Sequence, residues 1–225
     1  MTRSSGDTAP GGGQRSRRPR RSSADVRTAL IDSAALVFAR RGYSGATTSE
    51  IARLARTPPV TVYRQFGSKE GLFTAAVVEP FLGFLTDYTA EYRSLITDGA
   101  DPAIDHKAIY EPSVASLYDH LNSKSYSVLA LISALGDPEA AGPVRDAVAR
   151  MDEMFARFNE LSVDHWHRSG HTYKIEHAQM WVRLITGMVI GVTALAPLLL
   201  PEGLYRPGRT ELIALMSQMV REGIG

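Results

Sequence analysis

The 225-residue chain has no cysteine, which excludes a disulfide scaffold and thiolate metal sites and fits a reducing, cytoplasmic setting. It lacks strand-like alternation of polar and apolar residues, and it has no internal repeat. No apolar stretch follows the N-terminal arginines, so a secretory leader is not expected. One uncharged run, residues 184–201, is long enough to suggest a membrane span. It contains Thr186, Gly187, Gly191, Thr193 and Pro197 and has no second of its kind, so no membrane association is expected. A serine or cysteine nucleophile motif, a phosphate loop and a dinucleotide fingerprint are also missing, leaving little basis for an enzyme or a cofactor.

What is present suits a globular chain: 44% of residues are hydrophobic, enough to fill a core. The net charge of +1 conceals an asymmetry, because residues 1–70 carry +8 and the remainder −7. A basic head on an acidic body implies that the head alone meets a polyanion. Residues 1–22 are mostly Gly, Ser, Pro and Arg with almost nothing to bury, and are expected to form a disordered basic tail.

From Ser23 onward the apolar spacing predicts an all-α fold. Val26, Leu30, Ala34, Val37 and Phe38 mark a first helix, with Ser23 as a cap and Gly42 as its stop. Thr47 and Glu50 have capping-box spacing, which starts a second helix at Thr48 that runs to Ala55. A third spans Pro59 to Phe66. Ser68 caps a fourth that passes through Leu72, Phe73, Val77 and Phe81 to about Ile96, with Pro80 as a possible kink. Further helices are expected over about 110–122, 125–135, 143–168, 174–199 and 209–222. The third of these shows a buried stripe at Val144, Val148, Met151, Phe155 and Phe158.

The third helix opens unusually, on Pro58-Pro59. Proline fixes φ near the helical value and has no amide hydrogen to leave unpaired, so Pro59 suits the first helical position and Pro58 the N-cap. Val60, Tyr63 and Phe66 then mark one side, leaving Thr61, Arg64 and Gln65 to point elsewhere. A short helix with a polar outward face, entered by a tight turn, is what a DNA major groove admits.

Residues 38–73, FARRGYSGATTSEIARLARTPPVTVYRQFGSKEGLF, resemble the DNA-binding head of the tetracycline-repressor (TetR) family of transcriptional regulators. The matching elements are Phe38, Gly42-Tyr43, Thr47-Thr48, Ile51-Ala52, Ala55, Thr61, Tyr63, Phe66, Lys69 and Leu72, in the family's order and spacing. The resemblance implies a helix-turn-helix head (23–70), and a larger helical body (71–225) that binds a small effector and pairs two subunits through its last two helices. It further implies a repressor released from a palindromic double-stranded operator by an apolar or aromatic effector. The family match puts Thr48, Arg56, Pro59, Val60, Thr61, Tyr63, Arg64, Gln65 and Lys69 at the DNA.

Each of these has a physical reading and a blander rival. Thr48 offers a hydroxyl at a helix start, for a phosphate or simply for the helix. Tyr63 presents a ring and a hydroxyl to DNA, or packs as a core tyrosine. Arg64 reaches phosphate or guanine, or stays solvated. Lys69 opposes the macrodipole of the helix it begins, which a phosphate partner would explain. Pro59 and Val60 form an apolar edge suited to a thymine methyl, or else stiffen the turn. Departures from the family pattern cluster at the turn. Arg56 stands where glycine is usual, Thr57 where a small apolar residue is, Pro58 where a capping serine is, and Val60 where glycine or alanine is commoner.

In the body, Tyr88, Tyr118, Tyr126, Phe155, Phe158, Trp166 and Trp181 are candidates to line an effector cavity, with His120 or Arg183 as polar contacts. Gly187, Gly191, Ala194, Leu212, Leu215, Met216 and Met219 are the expected dimer contacts. His165, His167, His171 and His177 lie close together near Asp164, and a helical metal-dependent enzyme built on the first three is the rival reading. Ser169-Gly170 is expected to end the helix between them, so no metal is assigned.

Overall fold

The computed structural model describes residues 21–98, 107–168, 175–201, 203 and 205–223. The expected tail lies outside them, save for Arg21 and Ser22. The described chain is helical, with no strand among the described residues. The helices are α1 (Ser23–Gly45), α2 (Thr48–Leu54), α3 (Val60–Phe66), α4 (Lys69–Phe73), α5 (Glu79–Asp98), α6 (Lys107–Ser123), α7 (Ser125–Ala134), α8 (Ala141–Arg168), α9 (Ile175–Ala194), α10 (Ala196–Leu199) and α11 (Arg209–Gly223). A one-turn 3-10 helix, Pro138–Ala140, precedes α8.

Local chemistry sets the first ends. Ser22, not Ser23, caps α1: its hydroxyl accepts from the Asp25 amide (3.0 Å) while the Asp25 carboxylate accepts from the Ser22 amide (3.0 Å). Asp25 stands three residues beyond Ser22, which is the reach this reciprocal box needs. The hydrogen bonds from Ser22 hold the Asp25 carboxyl below its ordinary pKa. Gly42, at φ 69°, breaks the regular helix where a stop was expected, and residues 43–45 turn toward α2.

Three helices then make a head around Leu30, Ala34, Phe38, Ile51, Ala52 and Val62, all fully buried. Phe73 reaches into it from α4. Its ring meets Phe38 edge-on at 5.0 Å and Tyr43 edge-on at 5.1 Å, while Phe38 and Tyr43 stack at 5.9 Å. The buried core continues without a break from the head through α5, α6 and α7 to Val189, Ile213 and Val220. The expected division at 70/71 falls inside the helical run from Lys69 to Asp98.

That run passes Pro80 by widening. Residues Thr74–Val78 form a π turn, with the Glu79 amide bonding Thr74 rather than the carbonyl one residue later. Proline disfavours α geometry before it and brings no N–H to the carbonyl one turn below, that of Ala76. The buried Ser127 hydroxyl on α7 donates to this carbonyl at 3.0 Å. The kink expected at Pro80 is therefore a π turn tied to a neighbouring helix.

A buried carbonyl short of a donor costs about 1–3 kcal/mol. Ser127→Ala is thus expected to lower unfolding free energy by about that much in urea titrations, and by clearly less in a Pro80→Ala background, where the backbone regains a donor. Equal losses in both backgrounds would mean that Ser127 stabilises the fold in some other way.

Candidate nucleic-acid interface and ligand cavity

Thr47 caps α2, accepting from the Glu50 amide at 3.1 Å. The Glu50 carboxylate does not complete the expected box, lying instead 3.8 Å from Arg41. α2 ends at Leu54 with Ala55 as its cap, and Arg56 follows in the left-handed region at φ 55°. The Thr57 amide reaches the Ala52 carbonyl (2.9 Å) and the Arg56 amide reaches Arg53 (3.1 Å). This is the pair of bonds by which a left-handed residue, usually glycine, closes a helix. Arginine holds the glycine position, and the buried Thr57 hydroxyl has no partner, so it does not cap the next helix.

Pro59 has helical dihedrals (φ −55°, ψ −35°) and the Pro58 carbonyl already accepts from the Thr61 amide at 2.9 Å, although the regular α-helix begins at Val60. The helix is rotated from the expected orientation. Val62 seats fully in the core and brings Thr61, 4% exposed, in with it. At about 100° per residue, that turns Val60 (68% exposed), Tyr63 (54%) and Arg64 outward. Thr61 therefore faces the core and not the outward side on which it was expected.

Two further expected contacts are committed inside the chain. Gln65 donates from Nε2 to the Ser23 hydroxyl (3.1 Å), and its carbonyl accepts from Arg27 (3.3 Å), whose guanidinium lies over Phe66. Gln65 thus braces α3 on α1. Lys69 donates to the Ser44 carbonyl (3.3 Å) with Nζ 4.6 Å above the Tyr43 ring, an intramolecular partner for this cation at a helix start. What faces out together is Arg56, Pro59, Val60, Tyr63 and Arg64. Half-buried Thr48 lies beside them, its hydroxyl 3.2 Å from that of Tyr63.

The head is also bolted to the body. The Asp137 carboxylate accepts from the Ser44 amide (2.8 Å) and hydroxyl (2.6 Å), 93 residues away. These bonds hold the Asp137 carboxyl below its ordinary pKa, with Lys69 contributing through space. Asp137 also caps the turn that leads into α8, accepting from the Glu139 amide at 3.0 Å.

Between α5, α6, α8, α9 and α11 lies an interior cavity of about 80 Å³. Tyr88, Phe158 and Trp181 line it as expected, and Phe155 lines a smaller void that shares the walls Tyr88, Phe158, Val182 and Thr186. Burial pushes the Tyr88 hydroxyl far above its ordinary pKa, so it is a neutral donor. Four expected residues are elsewhere. Tyr126 is exposed on α7, and Tyr118 is half-buried away from the cavity. His120 bonds the Ser116 carbonyl (2.8 Å) and packs on Phe84, while Arg183 pairs with Asp152 over the Phe155 ring. The Trp166 side chain lies outside the described residues.

The sequence reading missed Tyr92, Tyr110, Ser113, Ser162 and Thr186 in the lining. The last three donate to carbonyls one turn back in their own helices, at Ile109, Phe158 and Val182. Their mark in the sequence is a hydroxyl residue on an otherwise apolar helical face. Among the described residues no charged side chain lines this cavity.

Of the expected dimer contacts, Ala194 and Met216 are buried within the chain, Leu212 packs on its core, and a side chain at Gly191 would meet Leu199 of the same chain at 3.3 Å. Gly187 faces open space, and Leu215 and Met219 are exposed. Met180, Leu184, Leu198 and Leu199 are further exposed apolar residues on α9 and α10. As for the histidines, His165 is buried and His167, two residues on, is exposed, so they leave α8 in different directions. His171 and the His177 side chain lie outside the described residues. Among the described residues no three His, Cys, Asp or Glu are grouped to hold a metal, and no helix is long and apolar enough to cross a membrane.

Residues 30–76 match the model of the bacterial regulatory proteins of the tetR family. The HTH-type transcriptional repressor KstR2 of Rhodococcus jostii (strain RHA1) is 34% identical over 105 residues, 47% of each chain, so the match spans about half of that relative. Solved structures of similar fold include the fatty acid degradation regulator FadR from Bacillus halodurans, 17% identical, covering 87% of this chain and 98% of that one with a TM-score of 0.61. The TetR family regulator CifR, a cysteine mutant complexed with 26bp double-strand operator DNA, is 20% identical over 91% of this chain and 98% of its own, also with a TM-score of 0.61.

The left-handed Arg56 gives a test of the turn. A non-glycine residue there costs about 1 kcal/mol, so Arg56→Gly is expected to raise unfolding free energy by about that amount, read by chemical denaturation. A destabilised Arg56→Gly protein would show that the arginine side chain supports the turn.

Proposed function

We propose that the chain, whose residues 30–76 match the model of the bacterial regulatory proteins of the tetR family, is a sequence-specific, DNA-binding repressor released by a small effector. The observation that carries this is the outward face of α3: Pro59, Val60, Tyr63 and Arg64 stand clear of the core on a short helix. In the major groove this face offers methyl and ring carbons to a thymine C5-methyl and a guanidinium to guanine or phosphate. The Thr48 and Tyr63 hydroxyls, 3.2 Å apart, would grip one phosphate oxygen together.

Two heads are needed to read a palindrome, and the exposed apolar face on α9 to α11 supports a homodimer. The cavity supports an uncharged apolar or aromatic effector, since the polar side-chain groups among its described lining are neutral, hydroxyls and the Trp181 indole. At about 80 Å³ it is well below the roughly 300–1,000 Å³ of ordinary ligand pockets. An effector therefore has to push its walls apart, and binding favours whichever conformation is already wider. α8 supplies Phe158 to the cavity and begins just beyond Asp137, so its displacement is passed to Ser44 and hence to the start of α2.

The decisive experiment is selection from a random duplex pool by the purified chain. Enrichment of two-fold-related sites is expected, with Arg64→Ala losing about 1–3 kcal/mol of binding at one position. Replacing a thymine opposite Val60 by uracil should weaken wild type more than Val60→Ala. A pool that stays random would overturn the proposal.

Dimerisation has its own check. Leu184→Glu puts a charge on the exposed apolar face of α9 and is expected to shift sedimentation from dimer to monomer while leaving the helical signal unchanged. An unaltered dimer would move the interface elsewhere.

A further inference from the structure

The interior cavity is not shut off equally on all sides. Between α5 and α8 the surface opens into a groove of about 480 Å³, larger than the cavity itself. Leu82, Thr86, Thr89 and Ala90 belong to its α5 side, and Met154 and Arg157 to its α8 side. Thr89 and Met154 also line the small void, about 10 Å³, that Phe155 borders. That void in turn shares Tyr88, Phe158, Val182 and Thr186 with the cavity. A path of three spaces therefore leads from solvent inward, with Thr89 and Met154 at its outer step and the stacked rings of Tyr88 and Phe158, 5.5 Å apart, at its inner one.

The two residues of the outer step differ in freedom. The Thr89 hydroxyl donates to the Leu85 carbonyl at 2.8 Å, one turn back on α5, which holds that side chain in place. Met154 is half-buried and has no such tie. Methionine is unbranched and adaptable, with three rotatable bonds, so its side chain can swing into the groove while the α8 backbone stays still. The ends of the groove differ as well. At one, Arg150 of α8 donates to Glu79 of α5 at 2.9 Å and straps the helices together. Toward the other stand Arg93 of α5 and Arg157 of α8, which carry the same charge, and Arg157 pairs with Glu153 of its own helix at 3.9 Å. Among the described residues no ion pair joins α5 to α8 there. Thr89 lies ten residues beyond the strapped Glu79 and four before Arg93, so the outer step sits toward the unstrapped end.

Resting on the effector reading, we propose that this groove is the entrance to the cavity and that Met154 is its latch. An uncharged apolar or aromatic molecule passes the displaced Met154 side chain, occupies the small void and parts the Tyr88 and Phe158 rings to reach the cavity. Met154 thereby sets how fast a ligand enters and leaves, whereas the cavity walls set how tightly it is held.

Trp181 reports on entry, because it lines the cavity and the chain has one other tryptophan. A Trp166→Phe background leaves Trp181 as the only indole. Bromobenzene, an uncharged aromatic whose heavy atom quenches indole emission on contact, is mixed rapidly in the cold with this protein and with its Met154→Ala and Ala90→Phe versions. Met154→Ala is expected to speed both quenching and its reversal on dilution by about tenfold, with the equilibrium affinity unchanged. Ala90→Phe enlarges an exposed groove residue beside Thr89 and is expected to slow both. Equal rates in all three proteins overturn the latch and leave the cavity as a ligand site. A Met154→Ala protein whose affinity changes through release alone also overturns it and makes Met154 a wall of the site. Absence of quenching in the parent at saturating bromobenzene takes down the effector reading of this cavity, and the entrance with it.

Discussion

The ring of Phe73 is the contact on which the rest of the molecule depends. It enters the head from α4 and meets Phe38 of α1 and Tyr43 of the following turn edge-on, so three chain segments share one aromatic cluster. Edge-to-face pairs have preferred angles as well as distances. The cluster therefore fixes the direction in which α4 leaves the head, and with it the path of the helical run to Asp98. Lys69 over Tyr43 and Asp137 on Ser44 fasten the same corner from two more sides. The packing of α1 on α7 supports the head beside this corner.

Helix ends were the most legible part of the sequence, since capping acts over three or four residues. Thr47, Ser68 and Gly42 do what their types and neighbours imply. The Ser22/Ser23 ambiguity was resolvable by counting: only Ser22 has a carboxylate three residues on. The rotation of α3 was not legible. Val60, Thr61 and Val62 are all β-branched, and nothing local says which of three consecutive methyl-bearing residues faces inward. Docking of Val62 among the buried residues of α1 and α2 decides it, and that is a tertiary fact. The long-range bonds of Gln65 and Lys69 were invisible for the same reason.

The cavity divides similarly. Large aromatic residues on helical stripes drew attention to Tyr88, Phe158 and Trp181, all of them in the lining, and to Tyr126, which is at the surface. Size alone cannot tell a wall from an outer face. The hydroxyl residues are the more informative class in retrospect, because Ser113, Ser162 and Thr186 sit among apolar neighbours where a plain core would use alanine or valine. Each donates its proton to a carbonyl of its own helix, which is how a hydroxyl is accommodated on an apolar face.

The unbroken core has a consequence for modularity. α1 packs more extensively on α7 than on either of its partners in the head, and the Asp137–Ser44 bonds join residues 93 apart in sequence. The head thus completes its packing only after a segment synthesised much later has arrived. A chimera that grafts residues 21–70 onto a foreign body would carry α3 but leave one flank of α1 bare. Residues 21–70 are thus a surface of a shared frame, not a detachable part.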